Sequence, residues 1–149
     1  MAYSVNLIGG LHSNDRRGLA FLECIDNRRI NAKAVFEQLN TKTKRTLLSR
    51  FDYWPGGKTQ DNYFHGWPND ARYKECFVFK WKQGRTHHRL YGFLIHPRPS
   101  MAKRFQVCVL VSHTQKKQEH TDPRHLDQAN TLILNPEMLE AVKRTFPEV

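Results

Sequence analysis

Lysine, arginine and histidine crowd two short stretches in the second half of the chain. Lys80, Lys82, Arg85, His87, His88 and Arg89 form the first, and His113, Lys116, Lys117 and His120 follow an apolar run further on. Imidazoles exchange protons near neutral pH, and ammonium and guanidinium groups hold phosphates. Brought together, these groups suit attack of a ribose 2′-hydroxyl on the neighbouring phosphate, which needs a base, an acid and cations around the pentavalent phosphorus. Such a reaction requires no metal and no organic cofactor. Each group also has an ordinary use. Lys80 and Lys82 suit the solvent side of an alternating strand, Arg89 a cross-strand pair with Glu75 or another carboxylate, His87 and His88 a polar turn, and 113–120 a solvated loop.

Other chemistries find little footing. The eight histidines and three cysteines contain no Cys-x-x-Cys and no His-x-x-x-His, so no metal site is expected. Gly9-Gly10 and Gly56-Gly57 lack the further glycines and the lysine of phosphate-binding loops. Cys24, Cys76 and Cys108 each sit in an apolar stretch and read as buried thiols.

The elements that must position these groups follow from periodicity. Leu19 to Ile25 is a short apolar run with the character of a strand. Asn31 to Leu39 and the segment from Thr41 to about Phe51 have helical spacing, with Asn31 and Thr41 as N-caps, and Pro55-Gly56-Gly57 ends the pair. Residues 55–72 read as a loop with inserted aromatics. Three strands follow: Glu75 to Lys82, His88 to Ile95 and Arg104 to Ser112. Alternation places Lys80 and Lys82 on one face of the first, and Arg89 on the same face as Tyr91 and Phe93 in the second. Thr121-Asp122-Pro123 and Asn135-Pro136-Glu137 announce two terminal helices. The expected fold is α+β: a strand, a helical hairpin, a three-stranded antiparallel meander and C-terminal helices. Helices would cover one face of the sheet and leave the other partly open.

The chain has 149 residues, 24 Lys plus Arg against 14 Asp plus Glu, and a net charge of +10. That length predicts a single domain spanning 1–149, and 39% hydrophobic residues are too many for a disordered basic tail. The charge excess points to phosphates, an anionic surface or an acidic protein as partner. No run approaches the ~18 apolar residues of a membrane span, and residues 1–11 lack the order of a signal peptide, so a cytoplasmic location is expected.

The runs ECFVFKWKQGRTHHRLYGFLI, RFQVCVLVSHTQKK and TDPRHLDQA, in the order described, make the chain resemble the RelE/HigB-like toxins of bacterial toxin-antitoxin pairs and their phage-borne relatives. The resemblance covers about Leu19 to Leu134, leaving 1–17 as an N-terminal extension and 135–149 as an extra C-terminal helix. It implies a RelE-like microbial ribonuclease-type fold and metal-independent cleavage of mRNA, usually on the ribosome, leaving a 2′,3′-cyclic phosphate. Carried over by position, Lys80, Arg89 and His113 become the catalytic groups, and Lys82, Arg85, Lys116, Lys117 and His120 the RNA contacts. The implied partners are RNA, the ribosome and an acidic antitoxin; no metal or cofactor is implied. The sequence lacks the tyrosine that some members carry after the last strand. Two other readings stand beside this one: a non-catalytic protein on the same scaffold, such as a ParE-like gyrase inhibitor or a phage protein that binds a host factor, and a plain nucleic-acid-binding module that stacks bases on Tyr91 and Trp81.

Overall fold

The computed structural model describes residues 3–9, 11, 16–98, 105–116 and 123–147. Six strands and four helices follow in the order β1 (Tyr3–Leu7), β2 (Arg17–Cys24), α1 (Ala32–Gln38), α2 (Thr41–Tyr53), β3 (Phe64–Gly66), β4 (Cys76–Gln83), β5 (Thr86–Ile95), β6 (Gln106–Lys116), α3 (Pro123–Ile133) and α4 (Pro136–Thr145). The strands form one sheet in the order β1-β2-β6-β5-β4-β3. All neighbours are antiparallel except β2 and β6, which run parallel. The domain is thus α+β, with the expected meander of β4, β5 and β6 at its centre.

The sheet is larger than the sequence pattern suggests. Part of the N-terminal extension becomes edge strand β1, and the 55–72 loop contributes β3 at the other edge. Strand β3 is only three residues long and carries no periodic signal, whereas Tyr3-Ser4-Val5-Asn6-Leu7 in β1 alternates apolar and polar residues, a strand signal that the expectation of an N-terminal extension did not use.

Helices cover both faces, not one. Strands β2 and β6 are apolar on both sides, which water on either side would penalise. On one face α1 and α2 enclose Phe21, Leu47, Phe51, Phe79, Trp81, Leu90 and Leu110. On the other, α3 and α4 enclose Val78, Tyr91, Phe93, Val107, Val109, Leu126 and Met138. These are called the hairpin face and the α3 face below. Among the described residues, no helix is long and apolar enough to cross a membrane.

The caps follow local chemistry. Asn135 accepts from the backbone N–H of Glu137 at 2.9 Å and of Met138 at 3.1 Å, as its Asn-Pro-Glu context predicts. The cap of α2 is Asn40, one residue before the expected Thr41, and it accepts from Thr43 N–H at 2.8 Å. Asn31 makes no side-chain cap; its Oδ1 accepts from His113 N–H at 3.0 Å and ties α1 to β6. The Thr121-Asp122 signature lies outside the described residues.

One irregularity decides what the sheet displays. Phe93 pairs with Val109 and Gly92 with Leu110, but Tyr91 pairs with Ser112, so Val111 is an extra residue in β6. A bulge of this kind transfers every later side chain to the opposite face. Gly92 permits it, because a Cβ there would run into the Val109 carbonyl oxygen. Beyond the bulge, Ser112 and Thr114 share the α3 face with Tyr91 and Arg89, while His113 pairs with Leu90 on the hairpin face.

Candidate functional site

The α3 face changes character row by row along the strands. Cys76, Phe93 and Val109 form a fully buried apolar row beneath α3. The next row crosses four strands as His65, Val78, Tyr91 and Ser112. After it come Lys80, Arg89 and Thr114, and then Lys82, His87 and Lys116. Neighbouring strands lie about 4.8 Å apart and same-face rows about 6.6 Å apart, so these groups occupy one compact area. Arg85 is exposed in the turn that ends this area.

Of the buried polar residues among those described, Arg89 and Ser112 lie on this face, whereas His88 pairs with Trp81 on the hairpin face. Arg89 is only 6% exposed, Lys80 beside it is half-buried, and Lys82 is exposed. The cross-strand partner of Arg89 is therefore Lys80, not Glu75, which lies beyond Cys76 next to Leu94.

Three further groups complete the face. Ser112 Oγ and His125 Nδ1 are 2.6 Å apart, and the His125 ring stacks on Tyr91 at 5.0 Å with 22° between planes. His125 belongs to the first turn of α3, so the helix carries this imidazole to the boundary between apolar and cationic rows. On the far side stands His65, whose Nδ1 lies 3.0 Å from the Gly66 carbonyl oxygen. A carbonyl only accepts, so Nδ1 carries the proton and Nε2 keeps its lone pair. Burial lowers the pKa of His65; its hydrogen bond to Gly66 opposes this, and Lys80 and Arg89 depress it further. His65 is thereby held as a neutral base beside two cations.

The expected catalytic set is divided by the sheet. Lys80 and Arg89 are neighbours on the α3 face, whereas His113 lies on the hairpin face because of the bulge at Val111. Without the bulge His113 would stand opposite Arg89. Lys116 ends β6 in the same row as Lys82 and His87. Lys117 and His120 lie outside the described residues. Sequence spacing offered no signal for His65 or Ser112; His125 carried one in its place within TDPRHLDQA, in the first turn of a helix after the last strand.

His113 has another environment. Its Nε2 is 2.9 Å from Nδ1 of His88, which stacks flat on Trp81 at 4.9 Å and 12°. One ring must donate and the other accept, so the contact requires that the pair not be doubly protonated. Burial, followed by His88 and His125, lowers the pKa of His113 to about 4, and burial also lowers that of His88. A histidine whose folded pKa falls below its unfolded value contributes stability above the unfolded pKa and loses it as acid protonates the unfolded chain first. The protein is therefore expected to lose on the order of 2 kcal/mol between pH 7 and pH 4 through this group, at ~1.4 kcal/mol per pKa unit discounted for the partial exposure of the ring. Urea unfolding at the two pH values measures the loss, and His113→Gln should flatten it. An equally steep dependence in that variant would remove His113 as the cause.

No metal cluster of three or more His, Cys, Asp or Glu occurs among the described residues. The cysteines are free and buried; burial pushes the Cys76 thiol up to about 12 and raises that of Cys108 as well. They are inert toward substrate. Comparison with protein families, curated proteins and solved structures finds no match for the chain.

Proposed function

We propose that the chain is a metal-independent endoribonuclease of the RelE/HigB-like type, and that its active site is the polar end of the α3 face. The observation that carries this reading is the convergence of Lys80, Arg89, His65 and the Ser112-His125 pair on one side of the sheet. His65 offers a neutral Nε2 to take the 2′-hydroxyl proton. The freed oxygen attacks phosphorus, and charge gathers on the non-bridging oxygens next to Lys80 and Arg89. His125 protonates the departing 5′-oxygen, with Ser112 and the Tyr91 ring fixing the orientation of the imidazole. The products are a 2′,3′-cyclic phosphate and a 5′-hydroxyl. Lys82 and Arg85 line the approach and suit the RNA backbone, and the resemblance adds Lys116, Lys117 and His120 as further contacts. Translated mRNA is the substrate class that the resemblance supplies, and an acidic antitoxin would cover the same cations.

The test is incubation of purified protein with end-labelled RNA, with and without ribosomes, in EDTA. Cleavage with cyclic-phosphate ends supports the reading; RNA left intact in both arms defeats it. A non-catalytic binding protein on this scaffold is the second reading, favoured by the 6% exposure of Arg89, which limits direct contact with a phosphate. It predicts salt-sensitive RNA or acidic-protein binding without cut ends. Salt dependence offers a further check: Lys82→Gln should weaken RNA binding across sequences and reduce the slope of log Kd against log salt by about 0.7, the value of one lost single-strand phosphate contact. An unchanged slope would take Lys82 off the RNA path.

A further inference from the structure

A cavity of about 780 Å³ opens between the end of α2, the loop 57–62 and the first residues of β2 and β6, reaching the β3 edge of the sheet. Its size falls within the range of small-ligand sites. Trp54, Phe64 and Phe77 form an apolar floor, all nearly fully buried. The charged lining is Arg17, Lys58 and Lys80 against a single carboxylate, Asp61, with the neutral His65 ring beside them. Amides of Gln60, Asn62 and Gln106 supply donors and acceptors suited to a base edge.

Arg17 is the fixed cation of this cavity. Its guanidinium lies 4.7 Å from the centre of the Trp54 ring and donates to the Trp54 carbonyl oxygen at 2.6 Å. Burial lowers its pKa, yet a guanidinium keeps its charge, so a partly desolvated cation is held at the wall. From the rim a ladder of cations and aromatic rings continues outward. Lys58 sits 4.8 Å over Tyr53, Tyr53 stacks on Tyr63 at 6.0 Å and 25°, and Arg50 lies 4.1 Å over Tyr63. Alternating cations and flat rings beside a cationic hollow suit a single nucleic-acid strand, whose phosphates and bases alternate in the same way. Lys80 joins this hollow to the α3 face, since it lines the cavity and also pairs across strands with Arg89.

We infer that the cavity is a subsite for one nucleotide of single-stranded RNA flanking the scissile phosphate, with Arg17 and Lys58 on its phosphate and the amides on its base. The inference rests on the proposed RNA-directed function, but its test separates the two. Affinity is measured for a seven-nucleotide RNA blocked by a 2′-O-methyl group at each position, for a dinucleotide blocked in the same way, and for adenosine monophosphate, against the parent, Arg17→Gln and Lys58→Ser. The heptamer should bind the parent at least tenfold more tightly than the dinucleotide. Each variant should lose about fivefold on the heptamer and leave the dinucleotide unchanged. That pattern supports the subsite even if no RNA is ever cut, because it reads binding alone. Heptamer affinity equal to the parent in both variants overturns it, whether or not RNA is cleaved. Loss confined to adenosine monophosphate also overturns it, since the cavity would then hold a free nucleotide and not a strand.

Discussion

Replacing Arg89 with methionine is expected to lower the single-turnover rate of RNA cleavage by about 100- to 1000-fold, the loss typical of removing one preorganised group from a developing anion. Arg89 is nearly buried, faces Lys80 and lies one row from the stack of Tyr91 and His125. A cation fixed there meets no reorganisation cost when the phosphorane forms, whereas a solvated side chain would have to be ordered first. Methionine fills much of the same volume and needs no counter-charge, so the fold should be retained. Arg89→Lys should recover part of the rate, because charge persists but the forked geometry is lost. A rate equal to the parent in Arg89→Met, with unchanged stability, would make Arg89 a structural residue.

The second large effect concerns the hairpin face. Phe51→Ala is expected to cost about 3–5 kcal/mol of unfolding free energy, as for other fully buried phenylalanines. Its ring packs edge-on against Phe79 at 4.9 Å and meets Phe36 at 6.0 Å and Phe21 at 6.4 Å. It thereby joins α2 to α1, β2 and β4 in a single core. Leu134→Ala, at an 83% exposed position, should change stability by less than about 0.5 kcal/mol and serves as the control. Urea unfolding of both variants measures the difference. A loss below about 1 kcal/mol for Phe51→Ala would mean that the helical hairpin is only loosely docked on the sheet.

Much of this architecture is legible in the amino-acid pattern because burial repeats regularly. The alternation in Cys76–Gln83 assigns Phe77, Phe79 and Trp81 to one face and Val78, Lys80 and Lys82 to the other, and the structure has the same division. The helical hairpin, the meander and the Asn135 cap follow from equally local signals. The second covered face was also implicit in the doubly apolar strand around Cys108, which the expectation of an open sheet overlooked. Edge strand β3 is three residues long and carries no periodicity of its own, whereas the alternation Tyr3-Ser4-Val5-Asn6-Leu7 was a legible signal for β1 that the expectation of an extension left unused.

The site was legible only up to the bulge. Lys80 and Arg89 sit where alternation predicts, and Arg89 is found beside Tyr91's row as expected. His113 follows Val107, Val109 and Val111 at intervals of two, so a regular strand would bring it to Arg89. The extra residue reverses that parity and exchanges His113 for Ser112, which in turn meets His125 from α3. The enabling feature, Gly92, lies on the neighbouring strand, and its role depends on the approach of the Val109 carbonyl. Cross-strand steric facts of this sort are absent from one-dimensional periodicity.

The placement of the site on the α3 face is tested most directly by single-turnover RNA cleavage in EDTA with two variants side by side, His125→Ala and His113→Gln. At pH 7.5, where the His88-His113 pair is neutral, His125→Ala should lose at least 100-fold in rate while His113→Gln stays within about threefold of the parent. The reverse ranking, with His113→Gln inactive and His125→Ala near the parent rate, would contradict this placement and put the chemistry on the hairpin face.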